Sequence, residues 1–167
     1  MNYKKPVSVL VVIHTAALDV LLLERARHPG FWQSVTGSQE GDEPLLETAR
    51  REVLEETGIE AAPADFIDWQ ITNRYEIFAE WRHRYAPGIT RNVEHVFSLC
   101  VPGPGPVSIA PDEHLGYRWL PWQEAAEACF SWTNRDAILE LSRRMAGSTA
   151  PKTDDAVSDP GGGTARR

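Results

Sequence analysis

The sequence predicts an α/β or α+β sandwich, a single domain over residues 1–146 followed by a tail over 147–167. Three observations predict it. Short β-branched runs are interspersed with a few helical stretches along the chain. An apolar content of 42% and a charged content of 25% are ordinary for a globular protein, and 167 residues suffice for one real core. From Gly147 onward, "GSTAPKTDDAVSDPGGGTARR" has almost no large apolar residue. Such a segment buries too little surface to offset its ordering entropy, so it is expected to be a disordered tail.

"VSVLVVIH" (7–14) and "DVLLLERA" (19–26) read as two strands joined by a small turn, a hairpin. "FWQSVTGS" (31–38), after the "HPG" break, reads as a third strand ending at Gly37. A helix follows within 41–59. Pro44 suits its first turn, where an N–H would lack a partner, and Gly58 suits the left-handed position past its end. "DFIDWQITNRYEIFAEWRHRYAPG" mixes aromatics with charges and is expected to hold two strands. "EHVFSLCV" (94–101), closed by "PGPGP", and "YRWLPW" (117–122) complete the strands. "QEAAEACF" starts a helix, and a last one is predicted from about Asn134 to Met145, with Thr133 and Asp136 spaced as a capping pair.

A formal charge of -7 argues against broad electrostatic capture of nucleic acid or anionic lipid. An anionic substrate would then need a local basic pocket, or a cation bridging it to carboxylates. The two cysteines, Cys100 and Cys129, are isolated, with neither zinc-type spacing nor a disulfide framework, which suits a reducing cytoplasm. The apolar run behind Lys4 and Lys5 is short and leads into another strand, so it reads as core, not as a signal peptide. Nothing approaches the roughly 20 apolar residues of a membrane span.

The chemistry concentrates in "GDEPLLETARREVLEETGI" (41–59). Leu45, Leu46, Ala49 and Val53 share one helix side that docks on the sheet. Glu52, Glu55 and Glu56 form a stripe beside it, and Arg51 can reach Glu47 and Glu55 at i±4. A charged solvent face is the bland reading of such a stripe. Against it, no lysine intersperses the acids, and they sit at the helix C-terminus, where the dipole disfavours negative charge. A divalent cation would offset both costs. Carboxylates without His or Cys suit magnesium or manganese, with further positions left to water and phosphate.

Gly37, Glu43 and "REVLEETGI" (51–59) together match every fixed position of G-x5-E-x7-R-E-U-x-E-E-x-G-U, and the chain here resembles the Nudix family. The resemblance implies hydrolysis of a nucleoside diphosphate linked to a further group, on an α/β/α sandwich with a mixed sheet and a loop–helix–loop box. It implies Glu52 and Glu56 as metal ligands, Glu55 as a possible third or a base, and Arg51 as the residue holding a box glutamate in place. Water attack on a diphosphate needs phosphoryl charge neutralised, a more acidic nucleophile and a base, which metal-bound carboxylates and a nearby glutamate can provide.

Further stretches are similar to the dihydroneopterin triphosphate pyrophosphohydrolases within that family. They are "KKPVSVLVVI", "FWQSVTGS", "EIFAEWRHRYAPGITRN", "EHLGYRWL" and "SWTNRDAI". This likeness implies Lys4, Arg25, Thr36, the run Tyr75, Glu76, Ile77 and Phe78, and Ser131 as contacts to a small triphosphate substrate. It also implies Glu113 as a metal ligand from outside the box, and Glu113 competes with the box glutamates as general base. Lys4 and Arg25 could pair with phosphates, and Tyr75 and Phe78 offer flat surface for a pterin ring. Read without the likeness, Lys4 is a surface lysine and Phe78 a core strand position. Arg82, Arg84 and Arg91 either pave an anion path or pair with Glu76, Glu80 and Glu94. His83 reads as structural, and none of the tryptophans is assigned to the site. Same-fold alternatives are hydrolases of nucleoside triphosphates or ADP-ribose; a non-catalytic nucleotide sensor is the alternative from another class.

Overall fold

Val9, Val11 and Ile13 point to one side of strand β1 (Val7–His14) and Leu10 and Val12 to the other, and all five are buried. A strand apolar on both faces belongs in the middle of a layered sheet. The computed structural model, which describes residues 2–149, places it there. The other strands are β2 (Asp19–Arg25), β3 (Trp32–Gln33), β4 (Val35–Ser38), β5 (Phe66–Glu76), β6 (Arg91–Cys100) and β7 (His114–Pro121). β1 runs parallel to β6 in unbroken register from Val7↔Val93 to His14↔Cys100, and β6 pairs antiparallel with β5. β2 pairs antiparallel with β3 and β7.

On its other edge β1 has two partners. β4 takes Ser8 to Val11, whereas β2 joins at His14↔Val20. The predicted hairpin therefore closes only at its tight end, and the sheet parts between β2 and β4.

Helix α1 (Leu45–Thr57) lays Ala49 and Val53 on the face of Val9, Val11, Leu21, Leu23 and Phe97. Helices α2 (Trp122–Ala128) and α3 (Trp132–Thr149) cover the opposite face, with Ala125, Ile138 and Leu141 against Leu10, Val12, Leu22 and Val96. This is an α/β/α sandwich around a mixed sheet. Each fully buried Leu or Val contributes about 1.5–3 kcal/mol, against about 0–1 kcal/mol for an exposed ion pair. The two apolar layers, not the surface charges, hold the fold together. Gly58 ends α1 at φ 72°, where its N–H donates to the Leu54 carbonyl at 2.9 Å.

Four expectations need correction. "FWQSVTGS" is two short strands, because the Ser34 N–H between them donates to the Asn134 side chain at 2.8 Å, outside the ladder. The 65–88 stretch holds one long strand, after which Ala79–Arg84 forms a 3₁₀ helix. At the start of α3 it is the Ser131 hydroxyl, not a Thr133/Asp136 pair, that accepts a helix N–H, from Asn134 at 3.3 Å. That helix also runs past Met145 to Thr149; the rest of the expected tail lies outside the described residues. Among those described, no helix is long and apolar enough to cross a membrane.

Candidate active site

Two of the three acids of the α1 stripe are not wet, while Glu55 is exposed. Glu52 and Glu56 are only 9% and 4% exposed, because the Ala49–Val53 side of the helix presses them against the sheet. Gly37 on β4 makes room: a Cβ at that position would overlap the Glu52 carboxyl. Arg51 spreads its guanidinium over several acceptors. Nη2 meets Glu43 Oε1 at 2.6 Å and the Ser38 carbonyl at 3.1 Å, Nε reaches Glu43 Oε2 at 3.3 Å, and Nη1 reaches Glu52 Oε1 at 2.9 Å. The Arg51 guanidinium holds the Glu43 carboxyl down at about 2, helped by hydrogen bonds from the Glu40 N–H and the Thr48 hydroxyl. The predicted Arg51–Glu47 pair does not form; Glu47 pairs with Arg50 at 3.1 Å.

Glu56 is the most frustrated group. Burial, then the nearby Glu52 and Glu113 charges, push its carboxyl well above the usual range. Its Oε2 has no hydrogen-bond partner. Glu113 reaches it from the turn before β7, where its backbone carbonyl accepts the Ala26 N–H at 2.9 Å. His114, which sequence reasoning passed over, joins them. One donor atom each from Glu56, Glu113 and His114 lie within 4.8 Å of one another. Burial, then Arg25, lowers the imidazole to about 4, so it is neutral and its 3.8 Å approach to Glu56 is not an ion pair. Glu52 stands outside this tight group with one oxygen on Arg51, and burial lifts its carboxyl to about 7. Three crowded carboxyl groups and an orphaned oxygen are costly unless a cation neutralises them. The donor set, mostly carboxylate oxygen with one imidazole, fits a divalent metal.

These groups line a cavity of about 1040 Å³, and four of the predicted substrate contacts, Lys4, Arg25, Thr36 and Tyr75, line it too. Arg25 donates to Gln33 at 3.0 Å and lies 4.5 Å from the Trp81 ring centre. Lys4 opens onto the cavity, yet the surrounding protein and the Arg84 and Arg25 charges lower its ammonium pKa. Its backbone donates to the Arg84 carbonyl at 2.9 Å, drawing the segment after β5 over the site. The remaining predicted contacts do not line the cavity. Glu76 is exposed, Ile77 is buried, Phe78 packs edge-on to Trp81, and the Ser131 hydroxyl is occupied at the start of α3 by Asn134. Of the three arginines in doubt, Arg84 lines the cavity and Arg82 and Arg91 do not. Trp81, left out of the expected site, is part of the wall.

The NUDIX domain model matches residues 4–141. The chain belongs to the Nudix family. Within it, the chain is 48% identical over 142 residues to the dihydroneopterin triphosphate diphosphatase of Escherichia coli strain K12, covering 83% of this chain and 93% of that one. It is 40% identical over 141 residues to the enzyme of the same name from Haemophilus influenzae, covering 83% and 88%. The solved structure of the E. coli dihydroneopterin triphosphate pyrophosphohydrolase superposes with a TM-score of 0.80 at 45% identity, over 86% of this chain and 99% of that one. With its box intact and diphosphatases at this identity, the chain is a Nudix pyrophosphohydrolase.

Proposed function

We propose that this Nudix enzyme hydrolyses 7,8-dihydroneopterin triphosphate to dihydroneopterin monophosphate and pyrophosphate, using magnesium, or manganese in its place. The observation that carries the substrate is the reach of the likeness: it spans 93% of the E. coli diphosphatase, so it takes in the cavity walls as well as the box.

The cations Lys4, Arg25 and Arg84 line the cavity and would hold the triphosphate, the arginines through paired N–H bonds. Glu56, Glu113 and Glu52, with His114 beside them, would hold the metal. When bound there it supplies Lewis acidity and a more acidic water. Arg51 and Glu43 fix Glu52 in place. Glu113 and Glu55, both on the cavity wall, are the groups to take the proton from water. The water oxygen bonds to phosphorus as the α–β bridging bond breaks, and the electron pair leaves on the departing phosphate.

Incubation with magnesium and dihydroneopterin triphosphate, ADP-ribose or deoxynucleoside triphosphates tests the proposal. Turnover, read as pyrophosphate from the two triphosphates and as AMP from ADP-ribose, should be fastest with the pterin. Comparable rates on all three would leave a broad nucleotide hydrolase instead.

A further inference from the structure

Among the described residues, the half-buried Arg25 makes no salt bridge. Burial, and after it the neighbouring Arg84 charge, works against its positive form. Its side-chain contacts to Trp81 and Gln33 are both with neutral groups. The guanidinium carbon lies 4.5 Å from the centre of the Trp81 ring, whose own N–H donates to His28 at 3.3 Å. From the side, Nη1 donates to the Gln33 amide oxygen at 3.0 Å.

Gln33 is 4% exposed and stands opposite Leu23 across the β2–β3 pair. Arg25, two positions beyond Leu23, therefore shares its face of the sheet as a diagonal neighbour. The nitrogen end of the amide donates to the Thr36 hydroxyl at 3.4 Å. That settles which way round the amide lies, since turned over it would set its own N–H groups against those of the guanidinium. A buried amide occupied at both ends gives Arg25 a direction without neutralising it. A carboxylate in its place would bond more strongly, but it would take up the charge that an anion needs. Gln33, Arg25, Thr36 and Trp81 all line the cavity that holds the carboxylates, and the bond to Gln33 uses only one of an arginine's N–H donors.

From this geometry we infer that Gln33 is a positioning residue, which aims the Arg25 guanidinium into the cavity and leaves its charge whole for the phosphates of the substrate. The inference rests on the reading above only in taking the substrate to be a phosphate anhydride.

A double-mutant cycle on kcat/KM, run with magnesium, tests it. In Gln33→Met, close in volume but without either hydrogen bond, kcat/KM for dihydroneopterin triphosphate should fall about tenfold, with KM rising more than kcat falls. Arg25→Met should cost at least as much. Once Arg25 is gone, adding Gln33→Met should change kcat/KM by less than about twofold, because the amide has nothing left to aim. A residue that only supports the fold would cost the same in both backgrounds, and that result would overturn the inference. So would wild-type kinetics in Gln33→Met, or a loss confined to kcat. Gln33→Glu keeps the shape but hands Arg25 a counter-charge; it should also lose about tenfold or more. It carries the test if Gln33→Met does not fold, and wild-type kinetics there overturn the inference equally. A wild type that does not turn over dihydroneopterin triphosphate overturns the substrate reading instead. The cycle is then run on whichever of ADP-ribose and the deoxynucleoside triphosphates is hydrolysed, with the same outcomes deciding for or against Gln33.

Discussion

Glu56 and Glu94 are both buried acids, and their surroundings give them opposite tests. Glu56 has an oxygen without a partner and two like charges beside it. Glu56→Gln should lower turnover on the order of 10²-fold or more, the scale of losing one group that neutralises transition-state charge. Thermal melting in a chelator should show no loss of stability, since the variant removes a buried charge. Glu94 instead has three hydrogen-bonding neighbours, Thr133 on α3 and Asn73 and Tyr75 on β5, and burial still lifts its carboxyl to about 7. Between pH 4.5 and about 7 the folded chain keeps a proton there that the unfolded chain has released. This contribution to stability is full below that window, falls as pH rises through it, and levels off above. At about 1.4 kcal/mol per pH unit, Glu94→Gln should gain on the order of 3 kcal/mol relative to wild type between pH 4.5 and 8. Urea unfolding at the two pH values reads it, and a constant difference would contradict it.

At the scale of elements, the site depends on one helix meeting one strand without a side chain between them. Gly37→Ala on β4 would push the Glu52 carboxyl aside and break its contact with Arg51. Turnover should fall at least tenfold while the far-ultraviolet circular dichroism is kept; wild-type rates would show that Glu52 does not need that seat. α1, its Gly58 stop and its acidic stripe were legible because helix period, end signals and charge all agree within one short segment. β1 and β6 were legible as strands for the same local reason. The split at Ser34 was not, since it depends on the Asn134 side chain a hundred positions away. His114 was hidden differently: next to Glu113 it reads as a loop residue, and only the pairing of β7 with Arg25 on β2 turns it inward. Likewise, the pattern of "EIFAEWRHRY" does not show which side chains face the cavity. The 3₁₀ turn after β5 decides that, bringing in Trp81 and Arg84 and leaving Glu76 and Phe78 out.

For the whole molecule, the net charge of -7 and the cavity cations belong together: the surface repels polyanions while a few enclosed bases accept a small one. Magnesium should raise the melting temperature by about 5–10 °C at a hundredfold excess over its dissociation constant, and Glu56→Gln should lose most of that rise. An unchanged wild-type melting temperature would make the acidic stripe purely structural. The parallel pairing of β1 with β6 reaches further still. Val7, near the start of the chain, finds its partner only at Val93. On the ribosome, the central strand is made early and must wait for most of the domain to follow, with its β6 edge open to other chains in the meantime. The same strand that anchors the finished sandwich is therefore the segment most in need of protection during synthesis.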